Sequence, residues 1–226
     1  MAIQGVIFDF NGTLFKDGHY HVKAWQMISE EITGKKMTVE EINEKTHGAC
    51  NEVTIDRLSN GKFSKEENLA WSRKKEALYR KMVKQDKDNA HLVPGCAELF
   101  DWLLENQIPF TIASASIWDN IEFFYTFFDL GRWFALDQII YDNGSYPDKV
   151  PMFLDAAKLL KTPVENTLIF EDSQSGLASA IKAGFNQIIM IADDEERIQA
   201  LSKNEKIIAC GNDFETLFPA IQQLIK

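Results

Sequence analysis

Cysteine is scarce in this chain. Its 226 residues hold three, Cys50, Cys96 and Cys210, a scatter that offers neither a disulfide framework nor a cysteine-rich zinc site. Positive charge is also in deficit. Lys and Arg number 24 against 34 Asp and Glu, a formal net charge of -10. Such a chain has no general electrostatic attraction for nucleic acid or an anionic membrane, although a phosphate site needs only a local positive group. No apolar run reaches membrane-spanning length. The N-terminus lacks a basic segment followed by a cleavable apolar one. The expectation is a soluble, cytoplasmic protein with neither nucleic acid nor membrane as a partner. A P-loop nucleotide hydrolase is disfavoured, because no Gly-x-x-x-x-Gly-Lys-Ser/Thr occurs, and there is no internal repeat or low-complexity tract. What remains is globular: 45% hydrophobic and 26% charged residues, long enough for one domain or a core plus an insert.

The chain is organised around residues 3–15, Ile-Gln-Gly-Val-Ile-Phe-Asp-Phe-Asn-Gly-Thr-Leu-Phe. The apolar run Val6, Ile7 and Phe8 reads as a buried parallel strand. Asn11-Gly12 then forms a turn pair. A carboxylate at the C-terminal end of a central strand stands where open α/β sheets keep their chemistry. Asp9 fits there as a nucleophile or a metal ligand; taken alone, it reads equally as a turn or capping residue.

Beyond residue 15 the pattern turns helical. Helices are expected at 39–45, behind Thr38 with Glu41 in a capping-box position, around 53–58, and from Ser64-x-x-Glu67 to about residue 82. The lysines and arginine of that last helix, Lys74, Lys75, Arg80, Lys81 and Lys84, read as a solvated face. These helices fall between the first strand and the next, so residues 16–91 are expected to form an inserted cap, with hinges near 15–17 and 88–94. The main domain, 1–15 and 92–226, resumes at Pro94-Gly95. Strands are expected at 108–113, 137–141, 167–170, 187–191 and 207–210, alternating with helices at 96–105, 117–128, 152–160, 177–183 and 214–225. The aromatic stretch after Ser116 reads as packing rather than as a binding platform. The fold class is thus α/β: a Rossmann-like parallel sheet with helices on both faces and an all-helical cap. Right-handed crossovers place the strand C-termini on one edge, where Asp9, Ser114 and Glu171-Asp172 should converge.

Residues 3–15 resemble the first signature of the haloacid dehalogenase-like hydrolases, where the strand ends in Asp-x-Asp-Gly-Thr-Leu. Three further signatures follow in order: Ser114, Lys149 in Asp148-Lys149-Val150-Pro151-Met152-Phe153, and Glu171-Asp172-Ser173-x-x-Gly176. The Lys149 signature is shorter than the family pattern and lacks its first proline. Locally, Ser114 reads equally as a helix N-cap and Lys149 as a surface lysine. The resemblance implies that Asp9 attacks phosphorus to form an aspartyl phosphate. It implies Mg2+ held by Asp9, the Asn11 carbonyl and Asp172, with Glu171 in an outer role. It implies that Ser114 binds a phosphoryl oxygen, beside Ala115, and that Lys149 neutralises nucleophile and phosphate. Hard oxygen ligands suit magnesium. The cap resembles that of the β-phosphoglucomutase-like phosphatases. This implies for His21 a part in proton transfer or in orienting the acid/base group, and a substrate-contacting loop at His47-Gly48. The mutase's two loop charges are missing from residues 47–51, which argues against a sugar-phosphate mutase.

Asn11 stands where the family's phosphatases carry a second Asp. That Asp protonates the leaving alkoxide, and an amide cannot exchange protons as a carboxyl does. Three readings follow: a slow phosphatase favouring good leaving groups such as acyl phosphates, an enzyme that recruits another group such as His21, or a protein that binds phosphorylated ligands without turnover, in a regulatory role. A dehalogenase or phosphonatase is a more distant reading, and a phospho-accepting receiver domain is disfavoured by the early nucleophile and large insert. The expected partner is a small phosphorylated molecule, and the expected state a monomer or weak homodimer.

Overall fold

The computed structural model describes residues 2–46, 50–192, 195–201 and 203–225. Two compact units emerge. One is Met1–Lys16 together with His91–Lys226; the other is Asp17–Ala90.

The first unit is built on a six-stranded, all-parallel sheet in the order β3-β2-β1-β4-β5-β6. Its strands are β1 (Gly5–Phe8), β2 (Phe110–Ile117), β3 (Ile140–Asp142), β4 (Thr167–Glu171), β5 (Gln187–Ile191) and β6 (Ile207–Gly211). The central strand β1 is buried along its whole length, which explains its unbroken apolar run. Side chains alternate between faces. Phe8 stacks on Phe170 at 4.9 Å and meets Phe100 edge-on at 5.2 Å. Ile7 belongs to a separate cluster with Phe153, Ala156, Ile169 and Leu177. Each face is covered by helices: α5 (Cys96–Glu105) supplies Phe100 and α10 (Phe214–Leu224) supplies Phe214 on one side; α7 (Lys149–Leu160) and α8 (Gln174–Lys182) supply the other. Of the aromatic stretch, Phe124 in α6 (Trp118–Phe127) stacks on Phe10 at 4.2 Å, which makes it core. Trp118 stays 38% exposed.

The second unit contains α1 (Gly18–Thr33), α2 (Val39–Thr46), α3 (Asn51–Ser59) and α4 (Lys65–Gln85), which lie in sequence between β1 and β2. Trp25, Ile28, Met37, Ile42, Ile55 and Leu58 form its core. The capping box at the start of α4 is complete: Ser64 Oγ accepts from Glu67 N–H at 3.2 Å, and Glu67 Oε2 from Ser64 N–H at 2.7 Å. Thr38 and Glu41 make the same reciprocal pair before α2. One expectation for α4 fails. Lys75 is not on a solvated face; it is 2% exposed, with its ammonium over the Trp25 and Tyr79 rings and bonded to Glu76 at 2.8 Å. A helix of this pitch buries one side whatever its composition, and a single lysine on that side is tolerated once its charge is paired.

Two differences matter for chemistry. Strand β2 runs to Ile117, so Ser114, Ala115 and Ser116 lie inside it rather than beyond it. Helix α7 begins at Lys149, three residues before the expected start, because Asp148 caps it by accepting from Val150 N–H at 2.9 Å. The sequence pattern also gave no sign of α9 (Glu195–Leu201). No helix among the described residues is long and apolar enough to cross a membrane.

Candidate active site

Four pieces of the sheet unit meet at the C-terminal ends of its central strands. Asp9 follows β1 directly, and its N–H donates to Phe170 O at 2.9 Å, extending the parallel ladder by one residue. This fixes the carboxyl against the end of β4, where Glu171 is the last strand residue. Lys149, the first residue of α7, donates to Asp9 Oδ1 at 2.7 Å and also to Glu171 Oε1. Thr13 Oγ1 reaches the other Asp9 oxygen at 3.4 Å. Glu171 is fully buried, and its second oxygen accepts from Asp172 N–H (2.9 Å), Ser173 N–H (2.7 Å) and Ser173 Oγ (2.9 Å). A carboxylate with donors on both oxygens is a fixed orienting group. Ser173 also caps α8, accepting from Gly176 N–H at 3.0 Å.

The glycines of these segments are required by space. Gly12 has φ +81°, and a Cβ there would lie 2.2 Å from Asp172 Oδ2. A Cβ on Gly176 would lie 1.8 Å from Glu171 Oε1. Gly176→Ala should therefore displace Glu171 or push α8 outward, and overpacking of this kind costs about 1–3 kcal/mol. Equilibrium urea unfolding measures it; an unchanged midpoint would mean that the Glu171 carboxyl has room to move.

Asp9, Glu171 and Asp172 each offer a carboxylate oxygen, and these atoms lie within 4.8 Å of one another. Burial, followed by repulsion from its neighbours, pushes the Asp172 carboxyl up to about 8. Asp9 is raised to about 7 by burial, with Lys149 pulling the other way and Glu171 adding to the rise. Burial works against the Lys149 charge, but Asp9 and Glu171 outweigh it and hold its pKa above the ordinary lysine value. Arg197 of α9 donates to the Asp172 backbone carbonyl and lowers the Asp172 pKa slightly through its charge. Three buried or half-buried carboxylates thus face one lysine and a peripheral arginine. The remaining negative charge, carried by hard oxygen donors, fits a divalent cation.

On the β2 side, Asn11 Oδ1 accepts from Ser116 Oγ at 2.6 Å and from Ser114 Oγ at 3.3 Å. Ser114 and Ser116 are two apart on a strand and so share a face. Ala115 lies between them in β2. Ser116 does not cap α6, since Ile117 holds the N-cap position. A Ser-x-Ser pair at strand spacing was the signal, visible only once β2 is known to run that far. Thr13 also escaped notice, although it belongs to the first motif. Arg197 had no signal, being 25 residues from the carbonyl it holds.

His21 lies in the helical unit. Its Nδ1 is 2.6 Å from Lys75 Nζ, its Nε2 is 3.2 Å from Asp17 Oδ2, and its ring stacks on Tyr79 at 4.2 Å. An ammonium can only donate, so Nδ1 accepts and Nε2 carries the proton toward Asp17. Both ring nitrogens are engaged within this unit. Tyr79 OH donates to the same Asp17 oxygen at 2.5 Å. His47 and Gly48 lie outside the described residues.

Residues 6–190 match the family described as haloacid dehalogenase-like hydrolase. A crystal structure from Entamoeba histolytica, described as a HAD hydrolase, family IA, variant 3, has 30% sequence identity and a TM-score of 0.89, covering 99% of this chain and 98% of that one. A Drosophila melanogaster protein named "Probable pseudouridine-5'-phosphatase" is 27% identical over 221 residues, covering 92% of this chain and 90% of the relative. The β-phosphoglucomutase structure from Clostridium difficile shares the fold, with a TM-score of 0.74 at 22% identity over 99% of this chain and 97% of that one.

Proposed function

This chain belongs to the haloacid dehalogenase-like hydrolase family, and from that premise we propose that it is a magnesium-dependent phosphatase acting on a small phosphorylated metabolite through an aspartyl phosphate, at a rate limited by Asn11. The observation that carries the reading is the meeting of Asp9, Lys149, Glu171 and Asp172 at one sheet edge. A structural protein would have no use for three crowded carboxylates, of which Asp9 and Asp172 are held above the ordinary carboxyl pKa chiefly by burial.

Asp9 attacks phosphorus in line with the leaving oxygen. The bond from phosphorus to the leaving group breaks, and an Asp9 acyl phosphate forms. Lys149 holds Asp9 Oδ1 in place and offsets the charge of the phosphoryl oxygens. Ser114, whose bond to Asn11 is the longer of the two, turns its hydroxyl to a phosphoryl oxygen; the adjoining Ala115 N–H lies on the same strand. Water then hydrolyses the acyl phosphate and frees Asp9. Asp9, Asp172 and the Asn11 carbonyl would hold Mg2+, with Glu171 orienting its surroundings. When bound, the ion supplies charge stabilisation to the transferring phosphoryl group. The group within the family is that of the β-phosphoglucomutase-like phosphatases, supported by the inserted helices. Both nitrogens of His21 are engaged within the helical unit, by Lys75 and Asp17, which argues against it as the missing acid.

The test is a magnesium-dependent screen of phosphate esters and acyl phosphates. Release of phosphate by the wild type supports the reading. Phosphate-ligand binding without release by any substrate supports the second reading, a binding protein without turnover, which the Asn11 amide favours.

A pH effect follows from the carboxyls. Asp9 and Asp172 have folded-state pKa values raised above the unfolded one. The folded chain then binds more protons than the unfolded chain between roughly pH 4 and pH 8, so their contribution to stability falls as pH rises through that window. Magnesium, which favours the ionised forms, should reverse this. The rise in melting temperature caused by saturating Mg2+ is expected to be larger at pH 8 than at pH 6 by differential scanning calorimetry. An equal rise at both values would count against these carboxyls as the ligands.

A further inference from the structure

We propose that Arg197 is a positioning residue for the cation site: it holds the Asp172–Ser173 peptide so that the Asp172 carboxylate stays beside Asp9, and magnesium affinity depends on that hold. The inference rests on the reading of Asp9 and Asp172 as magnesium ligands. It adds to their site a residue from outside all four sequence signatures.

Asp172 lies in the two-residue link between β4 and α8. It is outside both the ladder and the helix, so other hydrogen bonds must fix its backbone. The carbonyl and N–H of one trans peptide unit point in opposite directions, and here both are held. Ser173 N–H donates to Glu171 Oε2 at 2.7 Å, and the Asp172 carbonyl accepts from the Arg197 guanidinium. Asp172 N–H goes to the same Glu171 oxygen at 2.9 Å. The link is therefore strung between a carboxylate and a guanidinium. Glu171 in turn shares Lys149 with Asp9. Little slack remains at the other end of the side chain. A Cβ on Gly12 would lie 2.2 Å from Asp172 Oδ2, so the carboxylate already rests against the first motif.

Arg197 is itself anchored. It lies on α9 four residues before Leu201, and residues four apart share a helix face. Leu201 is 3% exposed, in the core cluster with Ile188, Met190 and Ile207, and Ile198 packs against that cluster. The guanidinium comes from a helix seated on the sheet unit. Its planar fork loses less freedom per hydrogen bond than an ammonium does.

Removing Arg197 has two effects of opposite sign. Its positive charge is felt at the Asp172 carboxyl, so loss of charge alone would tighten the binding of a cation. Loss of the hold would weaken it, because a carboxylate free to swing must be ordered when the ion binds. The side chain is half-buried, and solvent and salt screen its charge. The groups that orient metal ligands typically contribute about 10- to 100-fold in affinity. The hold should win. Linkage makes the effect reciprocal: an ion that binds better when the peptide is held must also strengthen the hold, and so should slow amide exchange in α9.

The experiment titrates Mg2+ into wild type, Arg197→Met and Arg197→Lys by isothermal calorimetry. Amide exchange at Ser173 and along α9 is followed by NMR with and without the ion, and thermal melting of the metal-free proteins checks the fold. Arg197→Met should weaken magnesium binding roughly 10-fold, speed exchange at Ser173 in the metal-free protein and remove the slowing of α9 by magnesium. Arg197→Lys, which keeps the charge and a donor, should recover part of the affinity. If Arg197→Met does not fold, the shorter Arg197→Gln carries the same comparison. Unchanged or tighter magnesium binding without the guanidinium would overturn the proposal and leave the metal reading standing. Weaker binding with Ser173 exchange as in wild type would overturn it too, since the loss would not come from the peptide. If wild type binds no magnesium, the metal reading fails and the proposal falls with it.

Discussion

Asp9→Ala should abolish phosphate release from every substrate, a loss on the order of 10,000-fold or more, as expected when the attacking group itself is removed. No neighbour can replace it. Glu171 is fully buried and held by donors on both oxygens, and Asp172 lies in the loop beyond β4. The fold should survive the change, because Asp9 is a buried carboxyl whose charge burial disfavours. Lys149 keeps Glu171 as a partner. A stopped assay for released phosphate, run beside thermal melting, separates lost chemistry from lost structure. Activity above a tenth of wild type with an intact melt would remove Asp9 from the nucleophile's role. Trapping supplies a second readout: wild type should yield an acid-stable, hydroxylamine-labile phosphoprotein, and Asp9→Ala none.

The opposite effect is expected at Asn11. Asn11→Asp introduces a carboxyl two residues from the nucleophile, at the position where the resembled phosphatases carry their acid. A correctly placed general acid contributes about 100- to 10,000-fold in rate. The gain should be largest for esters of ordinary alcohols, whose alkoxide must be protonated, and small for acetyl phosphate. The selectivity is diagnostic: a uniform gain on every substrate would mean that the substitution improved binding or metal loading rather than proton transfer. Ser114 and Ser116 would donate to the new carboxylate as they do to the amide oxygen. Their contacts hold the side chain in the same rotamer, so the backbone at Asn11 should not move. No gain on alkyl esters would show that something other than residue 11 sets the rate.

Parts of the site were legible in the sequence because their causes are local. The buried strand before Asp9 needed only an unbroken apolar run. The caps of α2 and α4 needed only Thr38 with Glu41 and Ser64 with Glu67. The limits of β5, residues 187–191, matched expectation because an isoleucine-rich run there lies between polar stretches of the sequence. The end of β2 was misplaced for an equally physical cause. Ser-Ala-Ser has weak strand propensity and reads as a boundary, yet pairing with β3 carries the strand on to Ile117, through an irregularity between Ser114 and Ile117. Lys75 was misread because charge on a helix implies solvent only until a specific partner is present. Glu76 and Tyr79 lie on its own helix, but His21 and Trp25 are brought to it by tertiary packing.

The amino-acid order alone fixed which residue types stood ready at strand ends, since alternation of apolar runs and helices dictates a parallel sheet and puts those ends on one edge. Folding decided who touches whom. Lys149 lies 140 positions from Asp9 and 22 from Glu171, and it binds both. The direction in which Asn11 turns its amide is a property of two hydroxyls more than a hundred residues away. Hydrogen bonds depend on distance and angle in space, and neither is encoded by separation along a chain.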